Sequence, residues 1–534
     1  MASTDTSDGP RRPNILFIMA DQLRADCLGC AGHPHLKTPA IDALAARGVR
    51  FTRTFVQAPV CGGSRNSTYT GRYAFSHGGH GNGYPLRPDE MGIGDLLRPQ
   101  GYRTALTGKT HFVYDKKAFE RLGLDPQSGP GALAREIGFE AFERDDGLYP
   151  EPLFDPDLAY NRFLWDQGYR ARHPWHDVAN AAAGPDGEIL SGWQMRNAHL
   201  PAVVAPEHSE TAWMTDRAMD FIREAGDGPW CLHLSYIKPH WPYIAAAPWN
   251  DLYREVPVAD VNRADTEKEE ANPVYAAFME HWESKTFSKP GVRENVIPTY
   301  LGLIAEIDHH IGRLMTFLNE QGLDDNTIVV FTSDHGDYLG DHWLGEKDLY
   351  HEEIVRVPLI VMDPRRQADV TRGRDDDRFA ECIDLAATFL DWAGGEPMPH
   401  RLEGRSLVPL LEGEAPDEWR DAVFSDGCFG MKPARVALGL TGSQARSFMV
   451  RTNDWKYMHF QAALPMLFDL RNDPQERRDL GRDPAYASVC AELKDRLFTW
   501  MMTRKLRVTL SDDRVEAATA RPKPSLSVWP IGVW

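Results

Sequence analysis

The sequence predicts an α/β protein: a large, mostly parallel sheet with helices on both faces, followed by a smaller α+β unit. Three observations lead there. Continuous apolar runs at 14–20, 327–332 and 357–362 have the length of fully buried strands. Helical patterns alternate with those runs. The character of the chain then changes after about residue 415, where a hairpin pattern and one helix follow.

Taken in order, residues 1–12 are polar, hold no apolar segment of the secretory type, and are expected to be disordered. The run 14–20 ends in Asp21. Thr38-Pro39 opens a helix through Ile41, Leu44 and Ala45 that stops at Gly48, with Thr, Pro and Gly in the positions that start and end helices. A loop carries Cys61, and a helix begins between Ser64 and Tyr73. Residues 102–106 read as a strand, followed by Gly108-Lys109-Thr110-His111. The stretch 113–205, rich in Gly, Pro, Asp and aromatics, gives no clear element. A helix at 208–225 leads into a strand at 231–235, and 245–292 is irregular and charged. A helix over about 297–321 places Leu301, Ile304, Ile307, Ile311 and Leu314 on one face. It leads into the strand 327–332 and then Ser333-Asp334-His335. A strand at 357–362 and a helix at 379–394 complete the large unit, 13–415. In the smaller unit, 416–520, residues 448–460 form a hairpin around Thr452-Asn453-Asp454, and a helix covers about 485–505. The end, 521–534, has three prolines and two tryptophans and reads as an extended arm.

Of 534 residues, 42% are hydrophobic and 26% charged, an ordinary globular composition. The net charge of −19 excludes a general nucleic-acid or anionic-membrane binder, because those partners attract Lys and Arg. No apolar run is long enough to span a bilayer. Seven cysteines, an odd number spread over a long chain, do not form a disulfide framework. A cytoplasmic location is the expectation.

The polar residues of interest stand just past strand-like runs, where open α/β sheets bind ligands. Asp21-Gln22 and Asp334-His335 together offer carboxylates and an imidazole, a donor set for a divalent cation. Singly, each residue has a plainer reading. An Asp after a strand caps a turn, Cys27 and Cys30 pack, Cys61 is a buried thiol, and Lys109 and Lys347 are solvated.

Order and spacing change that balance. Val60-Cys61-Gly62-Gly63-Ser64-Arg65, with Thr70-Gly71-Arg72-Tyr73 behind it, resembles the sulfatase signature Cys-x-Pro-x-Arg of the alkaline phosphatase superfamily. Five further segments resemble that family in its own order: Asp21-Gln22 with Arg24-Ala25-Asp26; Thr38-Pro39 with Ile41-Asp42; Gly108-Lys109-Thr110-His111; Pro239-His240-Trp241-Pro242; and Ser333-Asp334-His335-Gly336. Phe468-Asp469-Leu470 with Asp473-Pro474 and Glu476 resembles the family's smaller C-terminal domain. The resemblance implies an alkaline-phosphatase-like mixed, mostly parallel sheet flanked by helices. It implies hydrolysis of sulfate monoesters, aryl sulfates among them, by a metal-bound formylglycine made from Cys61.

Carried over by position, Asp21, Gln22, Asp334 and His335 hold the metal together with residue 61. Arg65 steadies the nucleophile and the metal carboxylates. Lys109, His240 and Lys347 clamp the ester oxygens, His111 bonds the formylglycine diol and serves as base, and Asn82 contacts the substrate anion. Either His240 or Lys347 protonates the leaving oxygen.

The chain departs from the pattern at four places. Gln22 stands where many sulfatases have a second acidic ligand. Gly63 stands where the maturation motif has Pro, and conversion of Cys61 by a formylglycine-generating enzyme is still expected. His335 stands where many calcium-dependent sulfatases have Asn. An imidazole favours Mn²⁺, with Ca²⁺ as the alternative. Lys347 follows Asp334 by 13 residues. That short link resembles the phosphonate monoester hydrolase and phosphodiesterase branch, whereas Lys109 and His111 resemble true sulfatases. Sulfate ester hydrolysis with promiscuous phosphonate monoester and phosphodiester hydrolysis is therefore expected. The alternatives are a phosphonate or phosphodiester hydrolase, a catalytically silent anion-binding relative with unmodified Cys61, and a phosphomutase or transferase, which would use Ser or Thr in place of Cys61. The arm at 521–534, apolar at its end, predicts a homodimer or a dimer of dimers.

Overall fold

The computed structural model describes residues 12–149, 153–154, 156–506 and 508–520. The expectations for residues 1–11 and for the arm at 521–534 concern segments outside these described residues.

Nine strands form the main sheet. They are β1 (Asn14–Asp21), β2 (Val49–Phe55), β3 (Arg103–Gly108), β4 (Glu140–Arg144), β5 (Trp230–Pro239), β6 (Thr327–Ser333), β7 (Arg356–Met362), β8 (Arg374–Asp376) and β9 (Ala380–Glu381). The order is β8-β2-β7-β6-β1-β5-β3-β4, with β9 also on β2. The block β6-β1-β5-β3-β4 is parallel. The strand β7 runs antiparallel to both its neighbours, so the sheet is mixed. That reversal follows from the chain turning back after β6, through the segment that carries Asp334, His335 and Lys347.

All of β1, β5 and β6 is buried, as continuous apolar runs require in a sheet covered on both faces. Alternate residues of β1 serve the two cores. Leu16, Ile18 and Ala20 meet helices α1 (Pro39–Arg47), α3 (Glu210–Glu224) and α4 (Val292–Glu320). Ile15, Phe17 and Met19 meet α2 (Cys61–Thr70) through Tyr69 and α5 (Asp384–Trp392) through Leu385 and Phe389. Helix α4 starts earlier than the sequence suggests and runs through Pro298. Proline removes one helical N–H, but buried Val296 and Tyr300 on either side of it hold the turn by packing.

The second sheet is antiparallel: β10 (Ala422–Cys428), β11 (Arg446–Thr452), β12 (Trp455–Phe460) and β13 (Met466–Asp469). Helix α6 (Ala487–Met502) covers one face with Leu493, Leu497 and Trp500. The other face, with Met449, Met458 and Phe468, packs on Phe55, Tyr350 and Val355 of the large unit. No helix among the described residues is long and apolar enough to cross a membrane.

Candidate active site

Four strand ends and one helix start converge. Asp21 closes β1, and Gln22 takes a left-handed turn (φ 66°) that frees its side chain from the strand. Cys61 is the first residue of α2, where the helix dipole favours an anion. The strand β3 ends in Gly108 at φ 102°, with room for no side chain, since a Cβ there would lie 2.0 Å from the Ser235 carbonyl oxygen. That close approach delivers Lys109. His240 follows β5, and Asp334 and His335 follow β6.

The ligand atoms of Asp21, Cys61, Asp334 and His335 all lie within 4.8 Å of one another, and all four residues are buried. The His335 Nε2 is 3.1 Å from Cys61 Sγ, while its Nδ1 is 2.8 Å from the Gly336 carbonyl oxygen. Donation from Nδ1 to that carbonyl leaves the Nε2 lone pair for a metal. Two carboxylates, one imidazole and a helix-start sulfur therefore fit a divalent cation. Gln22 sits at the edge of this group. Its Oε1 accepts from Lys347 Nζ at 3.0 Å and its Nε2 donates to Asp337 Oδ2 at 2.5 Å.

Cations enclose the nucleophile position. Lys347 Nζ lies 3.3 Å and Lys109 Nζ 3.9 Å from Cys61 Sγ. Lys109 also pairs with Asp21 at 2.6 Å. Arg65, fully buried, spends its whole guanidinium here. It reaches Asp334 at 2.7 Å and Asp21 at 3.2 Å, and donates to Lys109 O and Ser235 Oγ at 2.8 and 2.7 Å. Burial would raise the Cys61 thiol, but the Lys109 and Lys347 ammoniums outweigh it and hold it well below the ordinary value. A hydrogen bond from His111 adds to this. Burial and the neighbouring Cys61 likewise work against the Asp21 carboxylate, and the Lys109 and Arg65 cations overcome them. The Lys347 ammonium is stabilised despite burial by Cys61, Glu346 and Asp21.

His240 behaves differently. Burial and the neighbouring Lys347 push it down to about 3. Its Nδ1 donates to Trp241 O at 2.7 Å, and its Nε2 accepts from Lys347 at 2.9 Å. Burial and Lys347 both favour its neutral imidazole form. His111 is set by its backbone: at φ 52°, its N–H donates to Asp146 Oδ1 at 2.9 Å. Asn82 Oδ1 accepts from Gly62 N at 2.8 Å, so it anchors the start of α2 beside the nucleophile. Thus the structure brings Asp21, Gln22, Cys61, Arg65, Lys109, His240, Asp334, His335 and Lys347 into one cluster, with His111 and Asn82 on its rim.

Sequence reasoning missed Asp337, Tyr243, Ser235 and Asp146. Tyr243 donates to Asp337 at 2.6 Å, completing the support behind Gln22. Asp337 carries a signal in the sequence, an acid two residues past His335. Ser235 and Asp146 carry none.

A large α/β sheet with a nucleophile position, a metal donor set and a ring of cations at its strand ends defines a hydrolase of anionic esters. The comparisons give the family. The Sulfatase family model matches residues 13–395, and a model for the C-terminal part of N-sulphoglucosamine sulphohydrolase matches 340–503. The chain belongs to the sulfatase family, within the alkaline phosphatase superfamily. It is 30% identical to the multifunctional alkaline phosphatase superfamily protein PehA of Trinickia caryophylli, over 92% of this chain and 96% of that one. It is 28% identical to an arylsulfatase of Clostridium perfringens, over 89% and 91%. Among solved structures, the phosphonate monoester hydrolase of Silicibacter pomeroyi superposes with a TM-score of 0.82 at 29% identity, covering 94% of this chain and 98% of that one.

Proposed function

We propose that this protein hydrolyses sulfate monoesters, aryl sulfates in particular, through a formylglycine formed from Cys61 beside a divalent metal, and that the same site turns over phosphonate monoesters and phosphodiesters. The observation that carries this is the position of Cys61 at a helix start between two lysine ammoniums and a metal donor set. Asp21, Asp334 and His335 would hold the metal with residue 61, and Gln22 is proposed as a further ligand. The cation supplies a Lewis acid, and a hydrated aldehyde supplies one hydroxyl to attack and a second to release the product.

The residues around it have separable tasks. Arg65 fixes the two carboxylates. Lys109 and Lys347 neutralise charge as it grows on the ester oxygens. Lys347, bonded to His240 Nε2 at 2.9 Å, is the proposed donor to the leaving oxygen. His111 is placed to take the proton when the diol collapses. Sulfate monoesters, phosphonate monoesters and phosphodiesters are all tetrahedral and singly charged, so one such cage serves all three.

Mn²⁺ is the proposed metal, with Ca²⁺ as alternative. The enzyme that would convert Cys61 is a formylglycine-generating enzyme, and the proposed assembly is a homodimer or dimer of dimers in the cytoplasm. A second reading, phosphonate monoester or phosphodiester hydrolysis as the main activity, is favoured by the 0.82 superposition on a phosphonate monoester hydrolase.

The test is kcat/KM on matched aryl sulfate, phenylphosphonate and phosphodiester substrates, with peptide mass spectrometry of residue 61 and metal analysis of the same sample. Higher kcat/KM for the sulfate, with an aldehyde at 61, is expected. The reverse order of substrates selects the second reading. Active protein with an unmodified thiol overturns the formylglycine mechanism.

A further inference from the structure

The segment that delivers Lys347 is an unusual piece of backbone. Between Leu339 and Asp348, five non-glycine residues have positive φ: Leu339 (48°), His342 (54°), Trp343 (60°), Glu346 (60°) and Asp348 (97°). L-residues disfavour that region, so such a loop persists only where its surroundings over-determine it.

The strongest anchor is His342. Its side chain is fully buried, with Nδ1 2.7 Å from Glu267 Oε1 and Nε2 3.4 Å from Glu353 Oε2. The ring stacks on His351 with centroids 4.1 Å apart. Its backbone is fixed as well, since the N–H donates to Asn262 O at 2.7 Å and the carbonyl accepts from Tyr275 OH at 2.6 Å. Burial disfavours charge on the imidazole, but Glu353 and Glu267 outweigh it and raise it to about 10. His351 is the neutral member of the stack: burial and the charge on His342 lower it, and its Nδ1 accepts from Tyr338 OH at 2.7 Å. His342 thus links Glu267, in the irregular charged stretch before α4, to Glu353, at the foot of β7, with the Asn262 amide 3.1 Å from its Nε2 and bonded to Glu353 Oε1 at 2.8 Å. The adjoining Glu352 turns the other way, to Lys456 of the second sheet at 2.9 Å. Within the loop itself, Asp341 pairs with Arg24 at 2.7 Å and Asp348 with Lys432 at 2.8 Å, so His342 is one of three side chains that tie it down.

We infer that His342 is a positioning residue for Lys347: its paired contacts with Glu267 and Glu353 hold the 339–348 loop in the conformation that sets the Lys347 ammonium beside the nucleophile and the leaving oxygen. This rests on the proposed role of Lys347 at the leaving oxygen. His342 touches no reacting atom, and its effect passes through the loop.

The test uses the full-length, metal-loaded protein with His342→Gln, which keeps hydrogen bonding and loses the charge, and Glu267→Gln, which removes one partner. The kcat and KM are measured over aryl sulfates whose phenols span a range of acidity. With a misplaced Lys347, kcat on the poorest leaving groups is expected to fall 10- to 100-fold and on the best ones less than about 5-fold, while KM moves less than 3-fold. The steeper leaving-group dependence should match the direction seen for Lys347→Ala. An equal loss across the series is what a purely structural role gives, and it overturns the inference. Should the wild-type protein hydrolyse none of the series, the proposed function fails on its own account. The clamp is then read by hydrogen exchange: tenfold faster exchange confined to 338–350 in His342→Gln supports it, and unchanged exchange there overturns it.

Discussion

Gln22 shows how much one uncharged side chain decides in this site. Its amide has a fixed sense, because the oxygen faces the Lys347 ammonium and the NH₂ faces the Asp337 carboxylate. Asp337 is itself raised by burial and accepts from Tyr243. Gln22→Ala should free both Lys347 and Asp337. The expected result is a 10- to 100-fold loss of kcat/KM, roughly 1.4–2.7 kcal/mol of transition-state stabilisation. Metal content, measured on the same sample, should fall less than in Asp334→Ala, which removes a carboxylate from the donor set. Residues of this kind divide into those a sequence reveals and those it hides. Asp21, Cys61, Lys109, His240, Asp334 and Lys347 are legible because each stands in a segment that resembles a sulfatase motif, and most of these segments follow a strand end. Their burial is not legible. Lys109 and Lys347 read singly as solvated, yet they are 0% and 5% exposed, and lysines are buried only where anions pay for it. Tyr243 stays hidden because its partners, Gln22 and Asp337, are about a hundred or more residues away until β1, β5 and β6 lie side by side.

At the level of elements, the strands that carry the site are the ones the sequence marks best. The runs at β1, β6 and β7 are continuous and apolar because both faces of the sheet are covered. The strand β2 escapes notice because it follows α1 with only Gly48 between, and its Arg50 and Arg53 interrupt the apolar pattern. The stretch 113–205 resists reading for another reason. It is made of short pieces such as Lys116–Leu122, Glu140–Arg144 and Ala159–Asp166, joined by aromatic contacts of Tyr149 with Trp175 and of Trp193 with Trp241. Such packing has no period. Gly108 is where an element boundary and the chemistry meet, since its left-handed backbone and the Ser235 carbonyl leave no space for a side chain. Gly108→Ala should destabilise the fold by about 2–4 kcal/mol and displace Lys109. Gly226→Ala, also at positive φ but with nothing within 4 Å of its Cβ, should cost about 1 kcal/mol. Urea unfolding of the two variants side by side checks the difference, and equal losses would show that backbone strain alone accounts for Gly108.

Over the whole molecule, acidity and function are spatially separated. The chain carries a net −19, while its site gathers Arg65, Lys109 and Lys347 around Cys61, paired in part with Asp21 and Asp334. Several carboxyls are buried away from that cluster, and they make stability depend on pH. Glu306, on α4, is raised from 4.5 to about 7, chiefly by burial, with Ser209 bonding one oxygen at 2.5 Å and Lys238 nearby as partial compensation. A folded-state value above the unfolded one means that the native protein binds the proton more tightly. The stabilisation is fully present below about pH 4.5 and is lost as pH rises through 7. At about 1.4 kcal/mol per unit, the loss is on the order of 3 kcal/mol for this group. Glu306→Gln keeps the shape and the bond to Ser209 without a titrating proton. Its stability relative to wild type should therefore improve by that amount between pH 5 and pH 8, read as the difference in urea unfolding free energy at the two values. A difference that does not change with pH would mean that Lys238 already holds Glu306 ionised in the folded state. The pH dependence would then have to come from the remaining buried carboxyls, among them Glu210, which burial raises to about 8.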